Sequence, residues 1–156
     1  FPGVDVCWDI TKKLPFGDNT IQGIFTEHCL EHIFITDCKR TVKELNRILK
    51  KDGVVRIILT DPELYINLYH DVRSGKKVKF PDQENINLET PICYLNRVFS
   101  GFGHKFLYDA ETLSQIMGEA GFKEIHLKKF MQGVDKKLLI EHPSRQFESL
   151  YMEAVA

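Results

Sequence analysis

The sequence predicts an α/β domain on a mainly parallel sheet with an antiparallel last strand. Three observations predict it. Strand-like runs alternate with helix-periodic runs through the first half of the chain, which implies parallel strands joined by right-handed crossovers. Asp9, Glu27, His28, Thr60 and Asp61 stand at the ends of three strand-like runs, so polar groups cluster at one edge of the sheet. Two late strand-like runs then follow one another with no helical pattern between them, so the final one should run antiparallel.

The elements can be justified in order. Val4 to Asp9 is rich in β-branched and aromatic residues and reads as a short strand, ended by Thr11-Lys12-Lys13. Leu14 to Asn19 is a turn with an apolar plug. Ile21 to Thr26 is a second strand whose mixed apolar character suits a buried parallel position. From Asp37 to Lys50, Cys38, Val42, Leu45 and Leu49 fall on one helical face. Thr36 or Asp37 is the expected N-cap, with Lys50 and Lys51 at the negative end and Gly53 as the stop. Val54 to Leu59 has the highest β-propensity in the chain. Pro62 can occupy the first turn of a helix carrying Leu64, Ile66, Leu68 and Tyr69. The pattern then breaks at Arg73 to Pro81, and Asp82 to Gly103 is irregular, with a helix candidate at Ile92 to Phe99. Asp109 caps a further helix with Leu113, Ile116, Met117 and Ala120 on one face and Gly121 at its stop. Phe122 to Phe130 and Phe147 to Val155 are the late strands.

Composition narrows the function. The chain has 156 residues, 43% hydrophobic and 28% charged, as expected for one soluble globular domain. With 21 basic and 22 acidic side chains it lacks the basic footprint of a nucleic-acid binder. No apolar run reaches the length of a membrane span, and no secretory leader is recognisable. The cysteines at 7, 29, 38 and 93 form no CxxC pair, so they read as reduced thiols in a cytoplasmic protein. There is no internal repeat.

In open α/β sheets, ligands bind outside the carboxyl ends of the strands. That rule selects Asp9 and Ile10, then Glu27 and His28, then Thr60 and Asp61, as residues at one edge of the sheet. The competing reading makes Asp9 and Asp61 turn formers and helix caps.

The order of motifs resembles a known family. Asp9-Ile10, Leu14-Pro15-Phe16, His28-Cys29-Leu30-Glu31-His32, the helix end Glu44 to Lys50 with Gly53, and the late Gly121-Phe122 are similar to class I S-adenosylmethionine-dependent methyltransferases, closest to the type 11 group. Gln22 and Lys51-Asp52 depart from the group's pattern. No glycine-rich loop follows a strand; Gly101-Phe102-Gly103 lies far downstream and lacks that context. The resemblance implies a Rossmann-like methyltransferase sheet over residues 1–156, entered near the family's third strand. The first residue is Phe, and about 40–60 residues carrying the glycine turn are expected upstream, given the ~30-residue size of a βαβ unit. It further implies S-adenosylmethionine as cofactor. Asp9 would accept from the adenine amino group, the Ile10 amide would meet the ring, and Glu27 and His28 would lie beside the methionine part. His28 is the candidate base for an acceptor that must lose a proton; packing is its competing role. His32 is expected to be structural.

The residues from Tyr69 to Lys105 form an insertion on the acceptor side, whose bases and aromatics suit a small-molecule substrate such as a glycan or nucleotide-sugar intermediate. A solvated loop with its own apolar cluster is the alternative. Two other functions compete. His28 to His32 also fits H-x-x-E-H, a zinc-hydrolase motif that needs a longer helix than this segment offers. A degenerate methyltransferase fold could serve as an interaction module. An unpaired apolar sheet edge would be open to a second copy of the chain, giving a homodimer.

Overall fold

The computed structural model describes residues 3–81 and 90–156. It is a four-stranded sheet in the order β1-β2-β4-β3. Strand β1 (Ile21–Glu27) pairs in parallel with β2 (Leu49–Thr60), in register from Gly23↔Val54 to Glu27↔Ile58. Strand β4 (Ser149–Val155) is antiparallel to β2 on one side and to β3 (Lys123–Lys128) on the other. Three strands therefore point the same way and the last opposes them, as expected from the missing helix between β3 and β4. The carboxyl ends of β1 and β2 share one edge with the start of β4.

Helix α1 (Ile35–Ile48) and helix α4 (Ala110–Glu119) cover one sheet face. Cys38, Val42 and Leu45 of α1 and Leu113, Ile116 and Met117 of α4 join Val55, Ile57, Leu59 and Met152 in the main core. The alternation of a strand puts Arg56 on the opposite face. There it lies fully buried, with Nη2 2.6 Å from Glu141 Oε1 and Nη1 3.1 Å from Glu153 Oε1. The same guanidinium donates to the carbonyls of Lys129 and Gln132. Glu141 accepts from the Met131 amide and Glu153 from the Val134 amide. One arginine thus ties the β3–β4 connection down as the second layer of the fold. Burial pushes the Glu141 carboxyl up, but the bonds from Arg56 and Met131 outweigh it and hold it below its usual range. Gly133 is required by this packing: a Cβ there would lie 2.0 Å from Glu153 Oε1.

Helix α2 (Pro62–Arg73) opens on Asp61, whose carboxylate accepts from the amides of Glu63 and Leu64. Asp109 does the same for α4, accepting from Thr112 N at 2.7 Å. The described parts of the 69–105 segment, residues 69–81 and 90–105, pack against α2. Helix α3 (Pro91–Asn96) continues into a wider turn at Arg97–Gly101. Tyr65, Phe80, Tyr94 and Val98 make a small second core, with Phe80 stacked on Tyr94 at 4.4 Å. Residues 82–89 of that segment, like Phe1, lie outside the described residues.

Several expectations need correction. Val4 to Asp9 is not a strand; Val4, Val6 and Trp8 are about half exposed, and no described strand lies beside them to supply a ladder. Propensity without a partner does not make a strand. Helix α1 is capped by Phe34, with no side-chain bond, because Thr36 and Asp37 already lie inside its first turn. The helix also stops before Lys50. Leu49 is already paired with Ile21, and the chain crosses a bulge at Asp52, which has φ +62°. Gly53 serves close approach there, since a Cβ would meet Lys50 O at 2.8 Å.

Candidate functional site

At the end of β1 the backbone turns sharply. His28 has φ +46°, a left-handed conformation that a non-glycine residue adopts rarely, and its amide still donates to Ile58 O at 2.9 Å. The turn aims the imidazole toward the start of β4. Nδ1 lies 3.1 Å from Glu31 Oε1 and 3.2 Å from Thr60 Oγ1, and Nε2 lies 3.0 Å from Ser149 Oγ. Glu31 is fully buried. Burial raises its carboxyl, yet the bond and charge of His28 and the Thr60 amide together hold it below its usual range. Beside it, burial and the charge of Glu31 push the Cys29 thiol up, so this cysteine stays protonated and is a poor nucleophile.

His28 lines a cavity of about 290 Å³ with Thr60, Tyr65, Val98, Phe102, His104 and others. Its far wall is a polar chain: Tyr65 donates to Glu148 Oε2 at 3.0 Å, and Arg145 Nη1 lies 2.5 Å from Glu148 Oε1. The remaining lining combines the rings of His32, Phe102 and His104 with Thr60 and Val98. His32 and His104 meet edge to face at 4.9 Å, and Arg97 sits over the Phe102 ring at 5.0 Å. The 69–105 segment therefore supplies one side of this cavity, and it also carries its own apolar cluster.

An apolar groove of about 470 Å³ runs along β1 from Ile21 to Thr26 and on to its exit, where Ile10, Cys29 and Leu30 line it. The Asp9–Ile10 turn forms its rim. Asp9 Oδ1 accepts from Thr11 N at 2.9 Å and Thr11 Oγ1 at 2.7 Å, and these bonds lower its pKa. Both bonds fall on one oxygen, so Oδ2 has no partner among the described residues. Thr41 Oγ1 donates to Ile10 O and fixes the turn against α1.

The structure thus brings Ile10 to the β1 exit, with Asp9 at the rim, and sets His28 in the neighbouring cavity. Glu27 points elsewhere: its carboxylate accepts from His142 N at 3.2 Å, toward the β3–β4 connection. Asp61 is a helix cap. The H-x-x-E-H reading loses its geometry. Leu30–His32 is a single tight turn rather than a helix holding two histidines, and the Glu31 carboxylate is engaged by His28 and Thr60. Arg145, Glu148 and Ser149 escaped the sequence reading. The rule of strand carboxyl ends does not reach them, because an antiparallel strand brings its beginning to that edge; the missing helix before β4 was the signal that could have found them.

A methyltransferase-domain family model matches residues 3–57. A ubiquinone/menaquinone biosynthesis C-methyltransferase from Desulfotalea psychrophila is 28% identical over 135 residues, 85% of this chain and 53% of that protein. The chain therefore spans about half the length of the curated relative it matches. Among solved structures, an S-adenosylmethionine-dependent methyltransferase from Archaeoglobus fulgidus superposes with TM-score 0.57 at 15% identity, covering 97% of this chain and 66% of that one. Another from Mesorhizobium loti gives TM-score 0.55 at 14% identity, with coverages of 96% and 67%.

Proposed function

We infer that this chain, a relative of the class I methyltransferases with their Rossmann-like fold, takes part in methyl transfer from S-adenosylmethionine to a small-molecule acceptor. One observation carries the reading: an apolar groove that runs along β1 to Ile10, Cys29 and Leu30 and a cavity containing His28 lie on either side of the residues that leave β1. The described residues fit the adenine end of the cofactor. Asp9 Oδ2 is available to accept from an exocyclic amine, the Ile10 amide has no partner among the described residues, and the Ile10 side chain offers an apolar surface. When bound, the cofactor supplies a methyl group already activated on a sulfonium. The chain's own task is then to align the acceptor and exclude water, where effective molarities of order 10⁵–10⁸ M show the scale of the gain. Taking up a proton from an acceptor hydroxyl is the second task, assigned to His28. Loss of that proton makes the oxygen, or a ring carbon beside it, a better nucleophile.

The ring-lined walls support a flat, ring-bearing acceptor with a hydroxyl group, in preference to a glycan. The curated relative, whose name places it in quinone biosynthesis as a C-methyltransferase, supports the same class. Four unpaired thiols support a reducing, cytoplasmic setting. No helix among the described residues is long and apolar enough to cross a membrane. Calorimetric titration with S-adenosylhomocysteine, on this chain and on the longest natural protein that contains it, tests the reading. Binding is expected in the longer form at least. Failure of both would sink methyl transfer and favour the interaction module.

A further inference from the structure

We propose that Glu31 is a positioning residue for His28, fixing its imidazole as the Nδ1–H tautomer, and that the Ser149 hydroxyl is a two-position partner of Nε2. The inference rests on the reading of His28 as the acceptor-side base; its decisive measurement does not.

The proton inventory begins at Glu31. Three donors converge on Oε1: His28 Nδ1 at 3.1 Å, Thr60 N at 3.3 Å and Thr60 Oγ1 at 3.3 Å. A carboxylate only accepts, so Nδ1 carries the hydrogen. Glu31 is fully buried, and its Oε2 has no partner among the described residues. A buried carboxylate with one oxygen unpaired depends on its few donors. The Nδ1–H bond is therefore strongly held, and it sets which nitrogen faces outward.

The second half of the inventory lies at Nε2. Ser149 Oγ is 3.0 Å from Nε2 and 2.7 Å from Arg145 O. A hydroxyl has one hydrogen to give. With Nε2 bare, that hydrogen can go to Nε2, or turn to Arg145 O and leave the lone pair to a hydroxyl in the cavity. When the acceptor's O–H bond breaks and an Nε2–H bond forms, Ser149 Oγ accepts the new N–H while its own O–H still donates to Arg145 O. Both protonation states of the ring are thus fully bonded, and nothing but a hydroxyl rotor has to move. The charge gained by the ring is met by Glu31 at 3.1 Å. The other ionisable groups facing the cavity are His32, Tyr65, His104, Arg145 and Glu148. Arg145 and Glu148 are paired with each other on the far wall, and Glu31 is the charged group in direct contact with the ring. The left-handed backbone of His28 is held by the hydrogen bond its amide donates to Ile58 O, and the ring is held at its two nitrogens by Glu31, Thr60 and Ser149.

The test is ¹⁵N nuclear magnetic resonance of the imidazole nitrogens in the full chain labelled at histidine, recorded at a pH where the ring is neutral. The wild-type spectrum should show His28 as the Nδ1–H tautomer. Glu31→Gln should erase that preference, since an amide can both accept and donate, whereas Ser149→Ala should preserve it. A wild-type ring in the Nε2–H form would overturn the proposal, and so would an unchanged tautomer in Glu31→Gln. The wild-type measurement needs no variant, so a Glu31→Gln chain that fails to fold does not shelter the idea. S-adenosylhomocysteine binding on the same samples is a separate readout. Its absence would count against methyl transfer and leave the tautomer result standing.

Discussion

A single carboxylate at the groove rim shows how residue chemistry divides between local structure and function. Asp9 spends one oxygen on Thr11 and leaves the other free. Asp9→Ala should weaken S-adenosylhomocysteine binding in the binding-competent form by about tenfold or more, the range for one lost hydrogen bond to a charged group. Calorimetry reads this directly, and unchanged affinity would remove Asp9 from the site. The bonds to Thr11 lower the Asp9 pKa, so the loss should persist throughout the neutral range. His28 is legible because the run before it forms β1 and places it at the sheet edge, whereas Asp9 and Ile10 follow a run that forms no strand and are held near the β1 exit by the bond from Thr41 to Ile10 O. Of the partners of His28, the rule of strand carboxyl ends selects Thr60 but does not reach Ser149. Thr60 and Ser149 stand 32 and 121 positions away. Only the folded sheet brings these hydroxyls to the two ring nitrogens.

At the scale of elements, the caps of α2 and α4 are legible from a few neighbouring residues, the N-cap of α1 is not, and what a partner element decides is not either. Asp61 and Asp109 cap α2 and α4 because a short acceptor side chain reaches amides two or three residues on. Asp109→Ala should destabilise the chain by about 1 kcal/mol, measured by urea unfolding at neutral pH. The folded Asp109 carboxyl lies below its ordinary value because of its bonds to Thr112. Its contribution is therefore complete above the unfolded pKa of about 3.9 and is lost as pH falls through the folded one. The difference between wild type and Asp109→Ala should vanish in acid; a difference that holds there would contradict the cap. By contrast, Val4 to Asp9 had strand propensity without a strand beside it. The end of α1 was misread for a related reason. Leu49 leaves the helix early because Ile21 is waiting to pair with it, and periodicity counts no such competitor.

Across the whole molecule, the two sheet faces are built on different physics. One is an apolar core under α1 and α4; the other is a buried arginine with two glutamates holding a long connection in place. An arginine in the midst of Val54 to Leu59 gave little warning of this, since its partners lie 85 and 97 residues further on. Arg56→Met should cost about 3–5 kcal/mol, because it strands two buried carboxylates. Denaturant titration measures the loss, and limited proteolysis should show earlier cleavage between Lys129 and Glu141; a variant as stable and as resistant as wild type would show the layer to be held otherwise. The position of β4 has one more consequence. It is the last of the described strands, yet it sits between β2 and β3, pairing Val155 with Val54 on one side and with Lys123 on the other. Until it arrives, β3 has no neighbour and β2 shows an open edge of Val, Ile and Leu. Closure of the sheet is thus a non-local and comparatively slow event, and the interval before it is when chains can pair with each other instead. During synthesis the same interval is set by translation, so the time a nascent chain waits for β4 governs its exposure to aggregation.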